Sequence, residues 1–88
     1  MSTLIENNDH VKDVRFSEKS MTVQLNDDRT ITVPLWWYPR LNQATEKQRT
    51  NWEACAGGRG IHWPDIDEDL DVKGFLMGYK APGAIPPQ

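Results

Sequence analysis

The chain has 88 residues, 38% hydrophobic and 26% charged, with a formal net charge of −3. That length supplies one modest core and leaves little material for an enclosed catalytic cleft. Its single cysteine excludes an internal disulfide framework and multi-cysteine zinc sites, and the acidic balance argues against a generic phosphate binder.

Residues 1–10, MSTLIENNDH, are polar and aperiodic and read as a flexible N-terminus. No apolar signal-peptide core follows Met1, and no apolar run reaches the roughly 18 residues of a membrane span, so a cytoplasmic location is expected. Three alternating segments follow. VKDVRF puts Val14 and Phe16 on one face, MTVQL does the same for Met21, Val23 and Leu25, and TITVP for Ile31 and Val33. Period-two alternation is the strand signal, and the short polar separators SEKS and NDDR favour antiparallel neighbours. Pro34 lacks an amide donor and ends the third strand. LWWYPRL reads as a turn or short helix that pins the chain onto the sheet.

A helix is expected to start at Thr45, with Gln48 completing a capping box. It is expected to run to Gly57-Gly58, with Trp52 and either Cys55 or Ala56 facing inward. IHW reads as a short extended segment near 60–63, closed by Pro64. Asp69 or Asp71 caps a last helix in which Val72, Phe75, Leu76 and Tyr79 form an apolar face, ended by Gly78 or the KAPG turn. The expectation is one α+β domain over 11–79, a three-stranded antiparallel meander covered by two or three short helices. Residues 80–88 are left as a proline-rich flexible tail. The expected core is the sheet face just named, under Trp52, Phe75 and Leu76.

GGRGIHWPDIDEDLD, residues 57–71, concentrates glycines, aromatics and five carboxylates. Asp65, Asp67 and Asp69 occupy the first positions of an EF-hand-like loop, but its obligatory glycine is Leu70 and its last carboxylate is Leu76, so no metal is expected. Cys55 and His62 are the one pairing that would suit a small hydrolase, but a cysteine on an inward helix face is usually an apolar filler. His62 alternates with Ile61 and Trp63, and a neighbouring aspartate can accept its ring N–H. Trp36, Trp37, Tyr38, Arg40, Arg49 and Arg59 resemble a stacking platform for single-stranded nucleic acid. The acidic run beside them would repel phosphates, so nucleic acid is disfavoured as a partner.

From Val11 to Gly78 the chain resembles a small bacterial family, domain of unknown function 2442. The resemblance is carried by VKDVRF, the DDRT turn, I-T-V-P-L-x-W-x-P-R-L, A-T-x-x-Q-R-x-N-W and above all G-x-G-I-H-W-P-x-x-D-E-D-L. It implies a compact α+β domain with a small antiparallel sheet, without an established catalytic activity. It also implies genes frequently placed beside other small proteins, in arrangements like toxin–antitoxin pairs. Some members continue into a helix-turn-helix module, which is not expected here because the chain ends in AIPPQ. Among the residues of the pattern, packing does not account for Arg40, Arg49, His62, Asp67 and Glu68. With Arg59 and Asp65 they form the candidate interaction surface, or else an internal arginine–carboxylate network. The function expected is a non-enzymatic protein-interaction module without a cofactor. Its partner is a protein, such as an antitoxin's target from an adjacent gene, and self-association is left open.

Overall fold

The computed structural model describes residues 10–87, so most of the expected N-terminal segment, residues 1–9, lies outside the described residues, as does Gln88. The first sheet is the expected meander. Strands β1 (Val11–Phe16), β2 (Ser20–Leu25) and β3 (Thr30–Pro34) pair antiparallel in the order β1-β2-β3. Met21, Val23 and Leu25 are fully buried on one face. On the other, Thr22 and its register partner Thr32 share a hydroxyl–hydroxyl hydrogen bond of 2.9 Å. Phe16 and Ile31 are half-buried at the rim of the core.

After β3 the chain makes a tight 3-10 turn (Leu35–Trp37) and a single helical turn α1 (Pro39–Asn42), with Pro39 at the first position, where its missing N–H is not needed. Helix α2 (Glu46–Thr50) begins as expected. The Thr45 hydroxyl accepts from the Gln48 amide and the Gln48 side chain accepts from the Thr45 amide.

Helix α2 does not continue to Gly57. It ends at Thr50, and Glu53–Cys55 form a strand, β4. This strand begins a second antiparallel sheet, β4-β5-β6, with β5 at Gly60–Trp63 and β6 at Glu68–Asp71. The expected extended segment at 60–63 is therefore the centre of a sheet. Backbone pairing to β5 on both sides overrides the local helical spacing of Trp52 and Cys55. Gly57, at φ +68°, belongs to the β4–β5 connection and does not stop a helix. Trp52 still packs on the core, but from an extended segment.

Helix α3 (Val72–Met77) is capped by Asp71, whose Oδ1 accepts from the Gly74 amide at 2.6 Å, and closed by Gly78 in the left-handed conformation. Its six residues present only Val72 and Phe75 to the core. Leu76 and Tyr79, expected to be buried, are 58% and 61% exposed. The expected tail is tied down at its start, since the Ala81 amide donates to the Trp37 carbonyl at 2.9 Å.

The core lies between the sheets. Leu35, Tyr38 and Leu41 from the helical connection join Ile61 and Trp63 from β5 and the buried face of the first sheet. The Trp63 ring meets Phe16 edge-on at 6.5 Å, and its indole N–H donates to the Arg49 carbonyl at 3.0 Å. Trp63→Ala should cost about 3–5 kcal/mol, out of a total of about 5–15 kcal/mol for a domain. Leu76→Ala should change stability by less than about 0.5 kcal/mol. Urea denaturation followed by circular dichroism measures both, and equal losses would show that the core is misassigned.

Candidate functional site

The two arginines singled out in the sequence hold main chain. Arg40, on α1, donates its Nη1–H to the Asp67 carbonyl at 2.6 Å. Asp67 stands in the left-handed region, φ +52°, within the β5–β6 turn, a conformation unfavourable for a residue with a Cβ. Arg49 donates from Nε to the Leu41 carbonyl at 2.9 Å and from Nη2 to the Asn42 carbonyl at 3.0 Å. It thereby ties α2 to the end of α1, and its guanidinium lies 5.6 Å from the Phe16 ring centre. An arginine–carboxylate network is therefore not what these two build. Arg59 is exposed between β4 and β5, where its main chain ties the turn to Val72.

Residues directly opposite in an antiparallel ladder point to the same face. Ile61, Trp63, Glu68 and Leu70 take the inner face of the second sheet, while Glu53, His62 and Asp69 form one row across its outer face. The expected aspartate for His62 is Asp69, with Nδ1 and Oδ1 2.7 Å apart. A carboxylate only accepts, so Nδ1 carries the proton. Asp65 accepts from the Asn51 side chain at 3.0 Å. The Asp65 and Asp69 carboxylates thus turn to different partners, and Asp67 is held only through its carbonyl. Among the described residues no three His, Cys, Asp or Glu side chains are grouped to hold a metal.

Glu68 is half-buried beneath this face. Burial pushes its carboxyl up, against the pull of the Asp69 amide and of Arg40. Tyr38 is inside the core, and burial, then the Glu68 and Asp71 carboxylates, push its phenol up to about 12.

Cys55 and His62 share the outer face, but Cys55 is paired with Gly60 and His62 with Glu53. Burial and the nearby Asp69 and Glu53 carboxylates push the thiol up, the opposite of what an activated nucleophile requires. The six residues read as a stacking platform do not share one surface either. Tyr38 is buried, Arg40 and Arg49 hold carbonyls, and Trp36 and Trp37 are half-buried beside Lys80, whose ammonium lies 4.7 Å from the Trp37 ring centre. Sequence reasoning missed Asn51 and Glu53, because both belong to a segment read as helix.

A family model described as "Protein of unknown function (DUF2442)" matches residues 11–81. The fold is similar to a crystal structure of a protein of unknown function from Rhodospirillum rubrum, with 25% identity, a TM-score of 0.72, and coverage of 89% of this chain and 96% of that one. It is similar also to a solution structure of an uncharacterized protein from Chromobacterium violaceum, with 21% identity, a TM-score of 0.70, and coverage of 84% of this chain and 70% of that one. No curated protein matches the chain. Among the described residues no helix is long and apolar enough to cross a membrane.

Two pH effects follow from the shifted groups. The Tyr38 phenol is raised from about 10 to about 12, so its contribution is complete below pH 10 and declines as pH rises through 12. The Glu68 carboxyl is raised as well, so its contribution is present at acid pH and lost as pH rises through its folded value. Stability measured by urea denaturation should fall between about pH 10 and 12 in the wild type and less steeply in Tyr38→Phe. Glu68→Gln should be no less stable than the wild type at pH 7. A destabilised Glu68→Gln would mean that the carboxylate's contacts with the Asp69 amide and Arg40 outweigh the cost of burying it.

Proposed function

The chain belongs to the DUF2442 family, and we propose that it is a protein-interaction module whose contact surface is the outer face of β4–β6 with the β5–β6 turn. The observation that carries this reading is how Asp67 is held. Arg40 grips its carbonyl at 2.6 Å, while among the described residues its exposed carboxylate has neither a hydrogen bond nor an ion pair. The strained turn is fixed from behind, and its charge is left facing solvent. Glu53, Asp65 and Asp69 extend the same negative surface, and among the described residues none of them pairs with a lysine or arginine. His62 lies between Glu53 and Asp69 and orders the row. Of the candidate surface set, Asp65, Asp67 and His62 act outward. Arg40 and Arg49 support the scaffold, and Glu68 lies half-buried behind it.

A surface of oriented carboxylates recognises a basic protein surface and speeds encounter with it. The specific form of this reading is the neutralising half of a two-protein system, with the neighbouring gene's product as partner, as the family resemblance implies. Calorimetric titration of that product should give a stoichiometric complex whose affinity falls with added salt. The triple variant Glu53→Gln, Asp65→Asn, Asp67→Asn should bind about ten-fold more weakly. Failure to form a complex, or affinity unchanged by the substitutions, would overturn the reading.

A further inference from the structure

A concavity, apart from the turn at Asp65–Asp67, lies where the end of the second sheet meets α3 and the chain that follows it. It is a cleft of about 420 Å³, within the size range of small-molecule sites. Tyr38, Leu70, Phe75, Tyr79 and Ala81 line it; Tyr38 and Phe75 are almost wholly buried, so Tyr79 supplies the exposed ring. Tyr38 and Phe75 stand edge to face, 5.9 Å apart, and the Tyr38 hydroxyl donates to the Tyr79 carbonyl at 3.4 Å, so two of the three rings are fixed by the core. Gly60 in the lining has no room for a side chain, since a Cβ would come within 2.9 Å of the Cys55 sulfur and 3.3 Å of the Leu70 carbonyl. The charged groups of the lining are two carboxylates, Asp69 and Asp71, and one cation, Lys80. Lys80 is drawn toward the indoles, 4.7 Å from the Trp37 ring centre and 5.9 Å from that of Trp36. Half-buried Glu68 adds negative charge close to Tyr38.

From this combination we propose that the cleft binds a small organic cation with an apolar body, an aryl- or alkyl-ammonium whose body lies among the rings and whose charge faces Asp69 and Asp71. Aromatic faces attract ammonium groups through their quadrupoles, and carboxylates at the rim add a directional field. Carboxylates reinforce burial in raising both the Tyr38 phenol and the Cys55 thiol, which line the cleft. An anionic ligand would meet two carboxylates for one ammonium, and a neutral one would gain nothing from their second oxygens, the Oδ1 atoms being bonded to His62 and to the Gly74 amide.

Three probes with one body separate these cases: phenethylammonium, 2-phenylethanol and phenylacetate, titrated into the full chain at low salt and followed by amide chemical shifts. The cation should move the Gly60, Leu70, Gly74 and Ala81 amides saturably, at about three-fold lower concentration than the alcohol, and phenylacetate should not. Asp69→Asn should bring the cation to the level of the alcohol, and Lys80→Gln should tighten its binding. Equal binding of alcohol and cation, preference for phenylacetate, shifts centred elsewhere, or no saturable shift would each overturn the proposal.

Discussion

The fold depends on one side chain that belongs to both of its sheets. Trp63 leaves the central strand of the second sheet, lies fully buried against Phe16 of the first, and reaches the end of α2 through its indole N–H. A three-stranded sheet of short strands is marginal alone, and two such sheets each need a cover. Here each sheet covers the other, with Leu35, Tyr38, Leu41, Val72 and Phe75 filling the gap between them. A buried indole must find an acceptor, and the Arg49 carbonyl supplies it where α2 ends.

The same economy governs the charged residues. Arg40 bonds to a main-chain carbonyl of the β5–β6 turn, and Arg49 bonds to two in the helical connection. Hydrogen bonds from a charged donor are among the stronger ones available, so the two arginines fix the backbone on which the acidic residues stand. The carboxylates are left outside, ordered by His62 and Asn51. Scaffold and surface are therefore built from adjacent residues with different duties.

What was legible in the sequence follows from which forces act locally. The first sheet was readable because Met21, Val23 and Leu25 alternate with polar residues and one face is buried. The capping box of α2 and the Asp71 cap of α3 were readable because each is made within four residues. The second sheet was hidden. Glu53-Ala54-Cys55 and Glu68-Asp69-Leu70-Asp71 lack an alternating apolar face, and they are strands only because β5 pairs with both. Leu76 was misplaced because helical spacing fixes which residues share a face but not how far the neighbouring sheet extends. That His62 has an aspartate partner follows from the need of a ring N–H for an acceptor, but that the partner is Asp69 follows only from the β5–β6 register. The arginine contacts were not, since they join residues brought together only by the tertiary fold.

The central claim is that the two sheets form one cooperative unit joined at Trp63. Native-state hydrogen exchange on the central strands tests it most directly, because β2 and β5 each have a paired neighbour on both sides. The slowest amides of the two strands should open with the same free energy, equal to that of global unfolding. Amides of β5 exchanging through a much cheaper opening, while those of β2 stay protected, would contradict it.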